Sequence, residues 1–167
     1  MTMQESLISG RLDVALVYST MPSPDIETRP LLDEELFLIR PNKGQPPRPV
    51  TLEEVAQMPL IIPSRPNAIR MVIEAALADA GLRPNIAIEI DGVSALLDLV
   101  ADGAGVAILS KTALQTSGKA DQLLPHPITP PLPTRLSLAV SALRPATLTQ
   151  QAMVELIRET VGKTLCA

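Results

Sequence analysis

Aromatic side chains are almost missing: Tyr18 and Phe37 stand alone, with no tryptophan, in a chain of 167 residues. The core must therefore be aliphatic, and a stacking platform for bases or sugars has almost nothing to be built from. Positive charge is also short. With 14 Lys and Arg against 18 Asp and Glu the net charge is −4, so this chain lacks the phosphate-neutralising footprint of a nucleic-acid binder. The one cysteine, Cys166, has no partner, which excludes an internal disulfide and a cysteine-based zinc cluster. The one histidine, His126, lies in Leu124-Pro125-His126-Pro127. It has no second histidine for a metal site, no companion for a catalytic dyad, and reads as a solvated loop residue. No apolar run reaches the roughly 18 residues of a spanning helix, and residues 1–10 lack the basic start and long apolar stretch of a secretory signal. A cytoplasmic protein is expected, with no metal or cofactor implied.

What is present is aliphatic residues in two periodicities. Short Val, Ile and Leu runs alternate with segments of helical period, the pattern of an α/β domain. Strands are expected at 12–18, 28–32, 35–39, 60–62, 86–90, 106–109 and 136–140. Residues 5–10 read as the last turn of a helix stopped by Gly10. Thr51 with Glu54 has the spacing of a capping box and opens a short helix. In the next helix Ile69, Val72, Ile73, Ala76, Leu77 and Ala80 form one apolar stripe, closed by Gly81. A further helix turns Leu96, Leu97 and Val100 inward. The terminal helix is capped by Thr147, with Leu148, Met153, Leu156, Ile157 and Val161 expected on its buried side. Residues 41–49 carry four prolines and read as a linker; 123–133 carry five and read as an exposed or edge-hugging connector.

Chemistry is harder to find. Gly103-Ala104-Gly105 precedes a strand and lacks a third glycine at 108, so it is no dinucleotide loop. Ser64 sits in a strand-to-helix turn, but its neighbours Pro63 and Arg65 are not the glycines of a nucleophile elbow. What Ser64 and Arg65 offer instead is a helix opening, with Pro66 suited to the first turn. Free N–H groups there, a hydroxyl and the positive end of the helix dipole suit an anion. A second opening follows at 91–94. Ligands of open α/β sheets collect at the carboxyl ends of strands, so both openings could share one small guest. Alternatively Ser64 and Ser94 only cap their helices and Arg65 is solvated.

The segments Leu12–Leu16, Glu34–Ile39 followed by Pro41, Leu60–Ser64, and Leu96–Leu109 with Val100, Gly103 and Gly105 occur in an order that resembles the effector-binding domain of LysR-type transcriptional regulators. The resemblance runs from about Leu7 to the terminal helix. The runs Pro63–Arg70 and Glu89–Val93 look most like the branch of the nitrogen-assimilation-control regulators. It implies a type 2 periplasmic-binding-protein-like α/β fold of two subdomains joined by crossover strands, the first incomplete, with a small effector in the cleft between them. Residues 1–40 would be the remainder of subdomain I, 41–110 subdomain II, and 111–167 the return to subdomain I with the terminal helix. By the same resemblance Ser64, Arg65 and Asn67 would face the effector from one helix start, Val93 and Ser94 from a second, and Tyr18 from the crossover. Members act as dimers or tetramers and reach DNA through a helix-turn-helix that this chain does not show. The opening strand, helix and second strand of the first subdomain are also missing from it, which would leave sheet edges unpaired.

The reading that follows is a non-catalytic sensor for a small, anionic metabolite. A dehydratase on a related scaffold would need a constellation of Ser, Thr or acid residues that the sequence does not assemble. A solute-binding protein would need an export signal, and a truncated fragment acting only by oligomerising is the remaining alternative.

Overall fold

The computed structural model describes residues 3–18 and 23–165; Cys166 lies outside them. The chain divides into two units, one of residues 1–33 with 135–167 and one of residues 34–134. Residues 34–40 and 111–134, expected in the first subdomain, fall in the second unit. Two long strands supply both units: β2 (Ile26–Pro41) and β7 (Leu123–Ser141). Each unit takes one part of each strand.

In the first unit, β1 (Ala15–Tyr18) pairs antiparallel with β7, Ala15 opposite Ala139 and Tyr18 opposite Leu136. β1 ends the strand order β1-β7-β2-β6, so its other edge carries no strand among the described residues. Leu7 of α1 (Met3–Ile8) packs with Ala15, Val17 and Ala139. The helix stops at Gly10, whose φ of 80° lets the Arg11 N–H reach back to the Ser6 carbonyl at 2.9 Å. The terminal helix α6 (Leu148–Leu165) is capped as expected, Thr147 Oγ1 accepting from the Gln150 N–H at 3.1 Å. Its buried side is narrower than the sequence suggests. Val154 and Val161 are buried and Ile157 partly so, but Leu148, Met153 and Leu156 face out. An inward stripe of 154, 157 and 161 leaves those three on other sides of the helix.

The second unit holds β3 (Val50–Thr51), α2 (Leu52–Gln57), β4 (Leu60–Ile62), α3 (Ala68–Asp79), β5 (Ile86–Glu89), α4 (Val93–Ala101), β6 (Ala107–Ser110) and α5 (Lys111–Thr116). The capping box is formed in full: Thr51 Oγ1 accepts from the Glu54 N–H, and the Glu54 carboxylate accepts from the Thr51 N–H. β4 and β5 run parallel, and Leu60 bridges in parallel to Val106 just before β6. Every residue of β4 and β6 is buried, as strands covered on both faces require. Helices α3 and α4 form over the predicted stripes, with Ile69, Ile73 and Leu77, then Leu96, Leu97 and Val100, turned inward. The core joins the α4 residues to Ile39, Ile61, Ala107, Leu109, Leu114 and Leu123. Gly105 is needed where it stands, because a Cβ there would lie 2.5 Å from the Pro59 carbonyl oxygen.

Three expectations are corrected. Residues 28–32 and 35–39 are not two strands but parts of one, β2. The five-proline stretch 123–133 is not a connector, exposed or edge-hugging: it is the first part of β7, with Leu123, His126, Ile128 and Leu132 buried. Pro127, Pro131 and Pro133 are exposed. His126 is therefore no solvated histidine. It is 8% exposed, and its Nδ1 lies 3.2 Å from both the N–H and the carbonyl oxygen of Arg48.

Candidate functional site

Because β4 and β5 are adjacent and parallel, with Ile62 opposite Glu89, their carboxyl ends open at the same place. From β4 the chain passes through Pro63, Ser64, Arg65 and Pro66 into α3. From β5 it passes through Ile90, Asp91 and Gly92 into α4. The two openings are tied directly, the Ser64 N–H donating to Asp91 Oδ1 at 3.0 Å. Both lie in the second unit, as do Arg65, Asn67, Val93 and Ser94, whereas Tyr18 lies in the first. The structure thus gathers five of the six residues singled out from the sequence.

Their roles differ from those expected. The cap of α3 is not Ser64 but Asn67, whose side-chain oxygen accepts from the Arg70 N–H at 3.0 Å. Pro66 lies before the cap and not in the first turn. Arg65 is not a waiting cation either: its Nη2 donates to both Glu74 oxygens at 2.9 Å. α4 is different again. Its cap is Gly92, which offers no side-chain acceptor, and Val93 and Ser94 follow exposed as the first two helical residues. The early N–H groups of α4 are left to solvent or a ligand, as helix geometry dictates for an uncapped start.

The residue the sequence reading passed over is Arg70. It is 4% exposed, on the same side of α3 as Ile73 and Leu77. Its guanidinium donates to Glu74 at 2.8 Å, to the Pro63 carbonyl at 2.9 Å and to Glu89 at 3.1 Å. One side chain thereby fastens α3 to the ends of β4 and β5. An arginine breaking the apolar stripe between Ile69 and Ile73, with Glu74 four residues on, was the available signal. Burial pushes the Glu74 carboxyl up, but hydrogen bonds from Arg70 and Arg65 outweigh it and hold the group below its ordinary 4.5. The Arg70 hydrogen bond likewise holds Glu89 down. The opening therefore sets Arg65 and Arg70 against the carboxylates of Glu74 and Glu89. An anion here must draw on backbone amides, since each nearby guanidinium is already engaged by a carboxylate.

Comparison with known proteins places this geometry. Residues 1–162 match the family model for the LysR substrate binding domain. The nitrogen assimilation regulatory protein nac of Escherichia coli (strain K12) is 30% identical over 161 residues, covering 96% of this chain and 52% of that protein. The chain spans about half the length of such curated relatives. Among solved structures, the Synechocystis PCC6803 CcmR regulatory domain in complex with 2-PG superposes with a TM-score of 0.81 at 17% identity, over 96% of this chain and 79% of that one. The QuiR effector-binding domain in complex with shikimate gives 0.80 at 20% identity, over 98% of this chain and 80% of that one. The fold is accordingly the type 2 periplasmic-binding-protein-like α/β arrangement of LysR effector-binding domains. The chain belongs to the LysR substrate-binding domain family.

Proposed function

We propose that this chain is the effector-sensing part of a LysR-type transcriptional regulator, with no catalytic role, and that its guest is a small anionic metabolite held at the carboxyl ends of β4 and β5. The observation that carries the reading is the uncapped start of α4 beside Ser64, where Val93 and Ser94 present helix-opening amides. Arg65 and Asn67 are positioning residues: the first acts through Glu74, the second through the first turn of α3. The solved relatives that hold 2-PG and shikimate support a small organic guest. Within the whole regulator the guest would act by favouring one of two arrangements of the domain, and so alter how an oligomer grips DNA.

Calorimetry against a panel of organic acids and amino acids tests this. Proline is tolerated at the first helical position but removes its N–H, so Val93→Pro should keep the fold and weaken binding about tenfold, the equivalent of roughly one strong hydrogen bond. Equal affinity in wild type and Val93→Pro would overturn the assignment.

A further inference from the structure

The second unit has a different, oppositely placed groove. β4 and β6 are parallel, so the residues that precede them, Pro59 and Gly105, lie at the end of the sheet away from Ser64. β2 runs antiparallel to β6 and delivers Arg40 to that same end. There a groove of about 430 Å³ opens, lined by Arg40, Lys43, Arg48, His126, Gly105 and Asp102 among others. Its volume falls within the range of small-ligand sites.

Its charge runs against that of the chain. Residues 40–48 hold three basic side chains and no acid, in a protein of net charge −4. Arg48 is engaged by Glu54 at 2.7 Å. Arg40, partly buried, and Lys43 make no hydrogen bond or ion pair with any other described residue. The segment between them is held in place: the Asn42 N–H donates to the Gln122 carbonyl at 2.8 Å, and the Gly44 N–H to Asn42 Oδ1 at 3.0 Å. His126 is buried at the wall, its Nδ1 against the Arg48 main chain. Arg40 and Lys43 on a pinned segment, with Arg48, outnumber the two nearby acids, Asp102 in the lining and Glu54, which pairs with Arg48 and also feels the charge of Arg40, so the concave site has an excess of positive charge. General attraction by the chain's net charge cannot account for an anion there.

We infer that this groove is a second binding site, separate from the β4–β5 opening, for a small multivalent oxyanion of the phosphate or polycarboxylate class held by Arg40 and Lys43. Such a ligand would let the domain register two chemical signals at opposite ends of one sheet.

The chain's single histidine supplies a probe without assignment ambiguity. Its imidazole proton signals are followed by NMR at fixed pH and ionic strength while inorganic phosphate, citrate or chloride is added. Saturable movement with phosphate or citrate and none with chloride is expected, the better of the two identifying the ligand class. Arg40→Gln should weaken saturation about tenfold and Lys43→Gln about threefold, while Asp102→Asn should tighten it about threefold. Lys43 and Asp102 are exposed, so those two variants keep the test valid should Arg40→Gln unfold. Movement absent with both oxyanions, equal with chloride, or unchanged in Lys43→Gln and Asp102→Asn would overturn the inference.

Discussion

Helices α3 and α6 present similar apolar periodicity in sequence and end in opposite situations. α3 buries Ile69, Ile73 and Leu77 and locks its start with Arg70, Glu74 and Glu89. α6 buries Val154 and Val161 and leaves Leu148, 85% exposed, and Leu156, 57% exposed, in the open. The two helices also sit in different units, α3 in the second and α6 in the first. Periodicity states which side of a helix can be buried; the width of the surface it meets decides how much is.

The sharpest way to break that comparison is a cavity on the buried side of α3. Leu77→Ala, at a fully buried position, should destabilise the protein by about 2–5 kcal/mol, seen as a lowered urea midpoint. The reciprocal change on α6, Leu156→Ser, should stay within about 0.5 kcal/mol. Comparable losses at both positions would remove the distinction.

Arg70→Met comes next. It strands the Pro63 carbonyl and removes the Arg70 partner from Glu89 and from Glu74, which keeps only Arg65, so a loss of about 1–3 kcal/mol is expected in the same measurement. The pH dependence carries a separate signature. Glu74 and Glu89 have lowered pKa values in the folded protein, so their contribution is complete above the ordinary 4.5 and is lost as pH falls through the lowered values. Acid-induced loss of stability below about pH 4.5 should therefore be shallower in Arg70→Met than in wild type. An identical acid limb would show that the network does not act as drawn.

A smaller effect belongs to His126. Burial lowers its pKa below 6.5, so the unfolded chain binds the extra proton more readily than the folded one. Stability should fall as pH drops below 6.5, and His126→Gln should abolish that part of the profile. No difference between the two profiles in this window would contradict the buried placement.

What was legible beforehand follows the range of the interactions. The capping box at Thr51 and Glu54, the stop at Gly81 and the stripes of α3 and α4 depend on residues within one or two turns, and all are present. His126 and its proline-rich flanks were misread because what buries them comes from elsewhere in the chain. Val50 pairs with Ile128, and the Arg48 main chain meets the imidazole 78 residues away. Arg65 was misread for a related reason: its neighbours in sequence suggest a solvated cation or an anion contact, while Glu74 two helical turns along engages it. The pairing of the two helix openings followed from parallel strands and was legible. The Ser64–Asp91 hydrogen bond that joins them, across 27 residues, was not.

The central claim is that an anionic guest is held by the amides opening α4 beside Ser64. Amide hydrogen exchange, with and without the tightest organic acid found by calorimetry, measures this directly. Slowed exchange concentrated at residues 92–96 and at Ser64 is the predicted result. Slowing confined to other segments, with 92–96 unchanged, would contradict it.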